Sequence, residues 1–201
     1  MYSLPANTLI NQPLYKKTVF EKFNLKTAER ERFDADISKM ALVARVSSAT
    51  VPALTKGKEI EGFYVLKVAM KRKDYDSKNI LMLQKLIPQK LIFALQFEEQ
   101  TQFCIFHTRL QQSAWMPTDE ATITLQGLSL DDVWNNIVAT IGGLDAMAEA
   151  SIEEQIIQRE QREKLLRQIE ALEKRARTEK QTRKKYELHQ EIMKLKKELA
   201  E

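Results

Sequence analysis

Glu59-Ile60-Glu61-Gly62-Phe63-Tyr64-Val65-Leu66-Lys67-Val68-Ala69-Met70 is the stretch on which the fold class turns. Ile60 and the run Phe63 to Val68 are rich in aromatic and branched side chains, and the segment alternates as a half-buried strand does. It is expected to be the central strand. Downstream, Asp76 or Ser77 can cap a helix whose Ile80, Leu83 or Gln84, and Ile87 line one side until Pro88 follows the last turn. Leu91 to Phe97 and Thr101 to Leu110, separated by the polar Glu98-Glu99-Gln100, predict a β-hairpin. Thr122 to Leu125 reads as a further short strand. Ser129 then opens a helix with Asp131 and Asp132 in its first turn, where negative charge suits the helix dipole, and Val133, Trp134, Ile137, Val138 and Ile141 on its apolar side.

Upstream, Thr18 to Phe23 predicts a short helix and Thr27 starts a longer one. In the latter, Phe33, Ile37, Met40, Ala41 and Ala44 recur at helical spacing, which carries the helix to about Arg45. Val46 to Leu54 is then a candidate edge strand, because Pro52 cannot donate to a ladder on both sides. The resulting order is not the regular βαβ alternation of a doubly wound sheet. The predicted class is α+β, an antiparallel or mixed sheet with helices packed on one face.

Gly142-Gly143 divides the chain, because all 5 glycines and all 5 prolines lie at or before it. The remainder of the chain is dominated by Glu, Lys, Arg, Gln, Leu, Ile and Ala, the composition of a solvated helix. The expected units are an α+β domain over residues 1–145 and a helical arm over residues 146–201. Leu165, Ile169, Leu172 and Ala176 form one apolar run and Leu188, Ile192, Leu195 and Leu199 another. Counting sevens from Leu172 leads through Glu179, Tyr186 and Met193, off the second run, so a single heptad seam does not connect them. The pairs Leu165 with Leu195, Ile169 with Ile192 and Leu172 with Leu188 instead share a midpoint near Lys180. This predicts an antiparallel α-helical hairpin, a coiled-coil arm with a helix from Ile152 to Ala176, a turn over residues 178–182 and a return helix to Leu199. No glycine or proline marks the turn, so the alternative is an uninterrupted helix that makes a homodimer.

Lys174, Arg175, Arg177, Lys180, Arg183, Lys184 and Lys185 crowd the expected tip, opposed there by Glu179. The net charge of +4 is too mild to argue from, but this local excess can contact phosphates by displacing their counterions. Those seven residues are the candidate nucleic-acid-binding set. Against this stands an ordinary solvated helix face, because no aromatic stacking platform accompanies the charge.

Catalytic signatures are sparse. Glu59, Glu61, Lys67 and Asp74 are the set a divergent metal-dependent nuclease would use, yet residues 62–70 contain no carboxylate beside the lysine. His107 and His189 are scattered and make no zinc motif, and Gly142-Gly143 lacks the lysine and hydroxyl residue of a phosphate loop. No catalytic residue, metal ligand or cofactor is assigned. Cys104 reads as a small buried hydrophobe, and Trp115, in the polar loop with Gln111, Gln112, Asp119 and Glu120, as an interface anchor or a cover over the sheet edge. The longest apolar stretches, such as Leu91 to Leu95, are far short of the roughly 20 residues of a membrane span. The N-terminus carries no secretory pattern, and a cytoplasmic location is expected.

Leu4-Pro5, Val19-Phe20-Glu21-Lys22-Phe23, Phe33-Asp34-Ala35-Asp36-Ile37, Glu59-Ile60-Glu61-Gly62-Phe63, Ile87-Pro88, Glu179-Lys180-Gln181 and Lys185-Tyr186-Glu187-Leu188 together resemble the bacterial family catalogued as domain of unknown function 4391. The resemblance spans nearly the whole chain. It implies a small accessory protein of bacterial defence or restriction-type loci, encoded beside helicases and DNA methyltransferases, and brings no catalytic residue to carry over. The arm also resembles the tRNA-contacting helical arms of some aminoacyl-tRNA synthetases, an analogy of shape alone. The expected function is that of a non-catalytic adaptor docking on a larger enzyme such as a helicase or methyltransferase, with nucleic acid reached through the arm. The alternatives are the divergent nuclease and a self-associating coiled-coil structural protein.

Overall fold

A strand covered on both faces must be apolar at consecutive positions rather than alternate ones. Phe63, Val65, Leu66 and Val68 are all fully buried, because β3 (Gly62–Met70) lies in the middle of a seven-stranded mixed sheet with helices on either side. The computed structural model describes residues 1–148 and 150–200; Glu149 and Glu201, both within the expected 146–201 arm, lie outside the described residues. The chain forms two units, Met1–Ala148 and Glu149–Glu201.

In the first unit, the edge strand β1 (Leu9–Leu14) is followed by α1 (Lys16–Lys22), α2 (Thr27–Asp36) and β2 (Ile37–Ser47). β3 pairs antiparallel with β2 and parallel with β4 (Lys90–Phe97), the crossover being α3 (Ser77–Leu86). β4 and β5 (Gln100–Phe106) make the expected hairpin. The short strands β6 (Leu110–Gln112) and β7 (Met116–Pro117) share the outer edge of β5, and α4 (Leu130–Gly142) closes the unit. The strand order is β1-β2-β3-β4-β5-β6. The α+β class with a mixed sheet and a C-terminal hairpin is as the sequence predicts.

The placement of helices on one face needs a correction. Val19 of α1, Phe33 of α2, and Ile80 and Leu83 of α3 pack with Met40, Leu66, Val68, Leu91, Phe93, Leu95 and Cys104 in one core cluster. The other sheet face carries Phe63, whose ring lies 5.6 Å from Trp134 of α4, and Phe103, 5.4 Å from Tyr2. A buried strand offers side chains to both faces, and α4 with the N-terminal segment covers the second.

Three local expectations are also overturned. The longer helix ends at Asp36 rather than Arg45, and residues 37–47 are β2. Two register shifts, between Ile37 and Lys39 and between Leu42 and Ala44, change the strand's period, so that buried Ile37, Met40, Ala44 and Ser47 imitate helical spacing. Val46 to Leu54 is not an edge strand: β2 stops at Ser47, and Thr50 turns the chain by donating its hydroxyl to Ser47 O at 3.1 Å. Thr122 to Leu125 is not a strand: Ile123 is buried, but the segment makes only the single backbone bond Ile123 N to Tyr2 O, at 3.0 Å, and joins no ladder among the described residues.

The second unit is α5 (Ile152–Thr178), a turn over residues 179–181, and α6 (Thr182–Ala200). Ser151 caps α5, its hydroxyl accepting from Glu154 N at 3.2 Å while Glu154 Oε2 accepts from Ser151 N at 2.7 Å. Ile169, Ala176 and Ile192 are buried together, with Leu172, Leu188, Leu195 and Leu199 packed around them. Glu173 and Lys196 bridge the two helices at 2.8 Å. The two helices therefore fold back on one another within one chain. No helix among the described residues is long and apolar enough to cross a membrane.

Candidate functional site

A helix-to-helix turn without glycine must satisfy its free backbone groups through side chains. At the end of α5 the Thr178 hydroxyl donates to Arg175 O at 3.1 Å, and Glu179 N to the same carbonyl at 3.0 Å. Glu179 Oε1 then accepts from Gln181 N at 2.9 Å, where α6 begins. The one acidic residue inside the charge cluster is thereby committed to the turn rather than to its cationic neighbours.

All seven candidate residues are exposed and gather at this end of the hairpin. Lys174, Arg175 and Arg177 lie in the last turns of α5, Lys180 in the connection, and Arg183, Lys184 and Lys185 at the start of α6. Lys174 pairs with Glu170 at 2.9 Å and Arg183 with Glu187 at 3.2 Å. The carboxyl of Glu173 is held below the usual range, by Lys196 first and by the charge of Arg177 in addition. Among the described residues, Arg175, Lys180, Lys184 and Lys185 form no ion pair.

The cations on α5 sit where its C-terminal dipole favours positive charge, so they are explicable as local helix stabilisers. Those on α6 are not. Its first turn contains no acidic residue and three consecutive cations, all facing the positive end of the helix dipole. Each cation so placed is unfavourable by roughly 0.3–1 kcal/mol when poorly screened, the reverse of the usual stabilisation. Arg183 is compensated by its pair with Glu187, but among the described residues Lys184 and Lys185 break the rule with no ion pair in return, and that points to a function for the breach.

The rival nuclease set does not converge. Glu59 and Glu61 precede β3, Asp74 follows it, and nine strand residues at about 3.3 Å each separate the two ends by roughly 30 Å. Glu61 is instead paired with Lys56 at 2.5 Å. Lys67 lies mid-strand between Ala41 and Ala94 of the neighbouring strands.

Two buried polar centres of the first unit are structural. Asp36 Oδ1 accepts from Arg72 Nε at 2.5 Å, and its Oδ2 accepts from Asp76 N at 2.9 Å and Asn79 Nδ2 at 2.7 Å. The carboxylate thus ties the α2–β2 junction to the loop entering α3. Tyr75 donates its hydroxyl to Gln102 Oε1 at 2.8 Å and accepts from Gln112 Nε2 at 2.7 Å, beside Cys104 Sγ at 3.5 Å. Burial pushes the Cys104 thiol up to about 12, as befits an inert core cysteine rather than a nucleophile. Trp115 packs against the core with Lys73 Nζ 5.7 Å from its ring centroid, so it covers the sheet.

The family described as Domain of unknown function (DUF4391) matches residues 3–199. The chain belongs to that family. No curated protein and no solved structure matches it.

At the tip of this DUF4391 chain stands a residue that charge counting alone passes over. Tyr186 follows Lys185 directly and is 64% exposed, so an aromatic ring does stand beside the cations. Its signal is in the sequence: Tyr186 and Met193 are seven apart and both fall off the Leu188–Ile192–Leu195–Leu199 seam.

Proposed function

We propose that this chain is a non-catalytic accessory subunit of a bacterial nucleic-acid-processing system, whose hairpin tip contacts the phosphates of a strand handled by a larger enzyme. The observation that carries the reading is the triplet Arg183-Lys184-Lys185 in the acid-free first turn of α6, held out at the turn while Glu179 is engaged with the backbone. Three cations in one helical turn, together with Lys180 and the end of α5, make a convex positive surface of the kind that displaces counterions from a polyanion. The larger partner, a helicase or methyltransferase, comes from the setting that the family resemblance implies. The separation of Glu59 and Glu61 from Asp74 along β3 favours an accessory over a nucleolytic role.

The test is the triple variant R183Q/K184Q/K185Q, compared with the unaltered chain for binding to a labelled oligonucleotide over a range of salt concentrations, alone and with its captured partner. Binding should weaken at low salt, and the slope of log K against log salt should flatten by about 0.7–0.9 for each phosphate that the variant no longer neutralises. An unchanged slope in both settings would remove nucleic acid from the reading and leave the tip as a docking site for an acidic protein.

A further inference from the structure

α6 separates its charges by side more sharply than its composition requires. With Leu188, Ile192, Leu195 and Leu199 facing α5, successive residues advance by about 100°. Arg183, Lys185, His189, Lys194, Lys196 and Lys197 then fall within one half of the helix surface, and Glu187, Glu191 and Glu198 fall together in the remainder, with Lys184 as the one cation on their side. The basic half of residues 182–200 contains no carboxylate. From α5 it is bordered by Glu173, which holds Lys196, and by Arg177; these line one groove with Lys185, His189 and Met193.

In the middle of that basic half stand Tyr186 and Met193, 64% and 67% exposed and two helical turns apart. Neither belongs to the buried cluster of the hairpin. Among the described residues the Tyr186 ring makes no aromatic or cation–π contact and its hydroxyl no hydrogen bond. Tyrosine is also a weaker helix former than the Glu, Lys, Gln and Leu around it, so neither packing nor propensity accounts for it there. A flat ring flanked by cations is the arrangement on which an unpaired base stacks while its phosphates are neutralised.

We infer that the basic half of α6 binds single-stranded nucleic acid, with a base stacked on Tyr186, Met193 offering a second apolar contact, and Arg183, Lys185, His189 and Lys197 beside the backbone. This rests on the phosphate-contacting role proposed above and narrows it to strands whose bases are free. A duplex keeps its bases stacked inside and offers the ring nothing, so the selectivity resides in Tyr186 and the affinity largely in the cations.

The experiment uses the full chain at low salt with a labelled single strand of about 20 nucleotides and with the duplex of the same sequence. The variants are Tyr186→Ala, Tyr186→Trp and the triple glutamine variant. Tyr186→Ala should weaken single-strand binding by about 5- to 100-fold, leave duplex binding within about twofold and keep the salt slope, while Tyr186→Trp retains the single-strand affinity. Loss on both ligands alike, or on neither, overturns the stacking role. If the triple variant weakens binding while Tyr186→Ala does not, the phosphate contact stands and stacking falls. If the unaltered chain binds neither oligonucleotide, alone or with its captured partner, both fall. Sedimentation of the same proteins covers the remaining occupant: a dimer that Tyr186→Ala dissociates would assign the face to a second copy of this chain and overturn the inference.

Discussion

At the residue scale, two carboxylates in the first unit tie the backbone together from different settings, one buried and one at the surface. Asp36 is a buried anion whose oxygens are satisfied by Arg72, by the Asp76 amide and by Asn79. Removing it leaves those donors without an acceptor, so Asp36→Ala should lower the unfolding free energy by about 3 kcal/mol, measurable by urea titration. A loss below about 0.5 kcal/mol, the level of an ordinary surface change, would show that the centre is dispensable. Asp131 is solvent-facing, but its oxygens accept from Lys58 N at 2.6 Å, Ile60 N at 2.8 Å and Glu59 N at 3.3 Å. Desolvation alone would raise its pKa; the amides of Ile60, Lys58 and Glu59 outweigh it and hold the carboxyl below the usual range. Gly57 permits this clamp, because a Cβ there would lie 2.1 Å from Asp131 Oδ1. A group whose folded pKa is depressed contributes fully above its unfolded pKa, about pH 4 for an aspartate, and loses that contribution as pH falls through the folded value. Asp131→Asn should therefore lower Tm at neutral pH, and the gap from the unaltered chain should close in acid. A gap constant from pH 7 to about pH 2 would contradict the clamp.

At the element scale, what could be read in advance depended on whether an element's period survives in its sequence. α4 was legible because Ser129, Asp131, Asp132 and Gly143 mark both ends and its apolar side is unbroken; Gly143 takes the left-handed conformation at φ 62°. The hairpin was legible because facing leucines and isoleucines share one midpoint, and Ile169 and Ile192 are buried together. β2 was not, because its two register shifts convert a strand period into a helical one, and β1 has too little apolar patterning, with only partial burial along its length. The seven tip cations were plain in the chain, whereas Tyr186 needed the seam of α6 to be located before its exposure had meaning. The fold-back itself can be checked by a cross-link. Cysteines replacing Glu173 and Lys196, which bridge at 2.8 Å, should join within one chain through a short bifunctional thiol reagent, with a yield that does not fall on dilution. A concentration-dependent, intermolecular product would instead support the dimeric coiled coil.

At the scale of the whole molecule, the two units divide the labour that the proposed function requires. The sheet unit places its conspicuous polar centres in structural ties: Asp36 at a helix–strand junction, Asp131 on a loop, and Tyr75 against Gln102 and Gln112. The arm carries cations in excess of its carboxylates, concentrated at the turn and along one side of α6, where local helix electrostatics disfavours part of them. On the proposed function, nucleic acid is met by the arm and not by the sheet. Hydrogen exchange of the full chain, with and without a saturating oligonucleotide, tests it most directly. Added protection should be confined to residues 174–197, in the last turns of α5 and through α6, with the sheet strands unchanged. Protection appearing in β2 to β5 while the arm exchanges as before would contradict it.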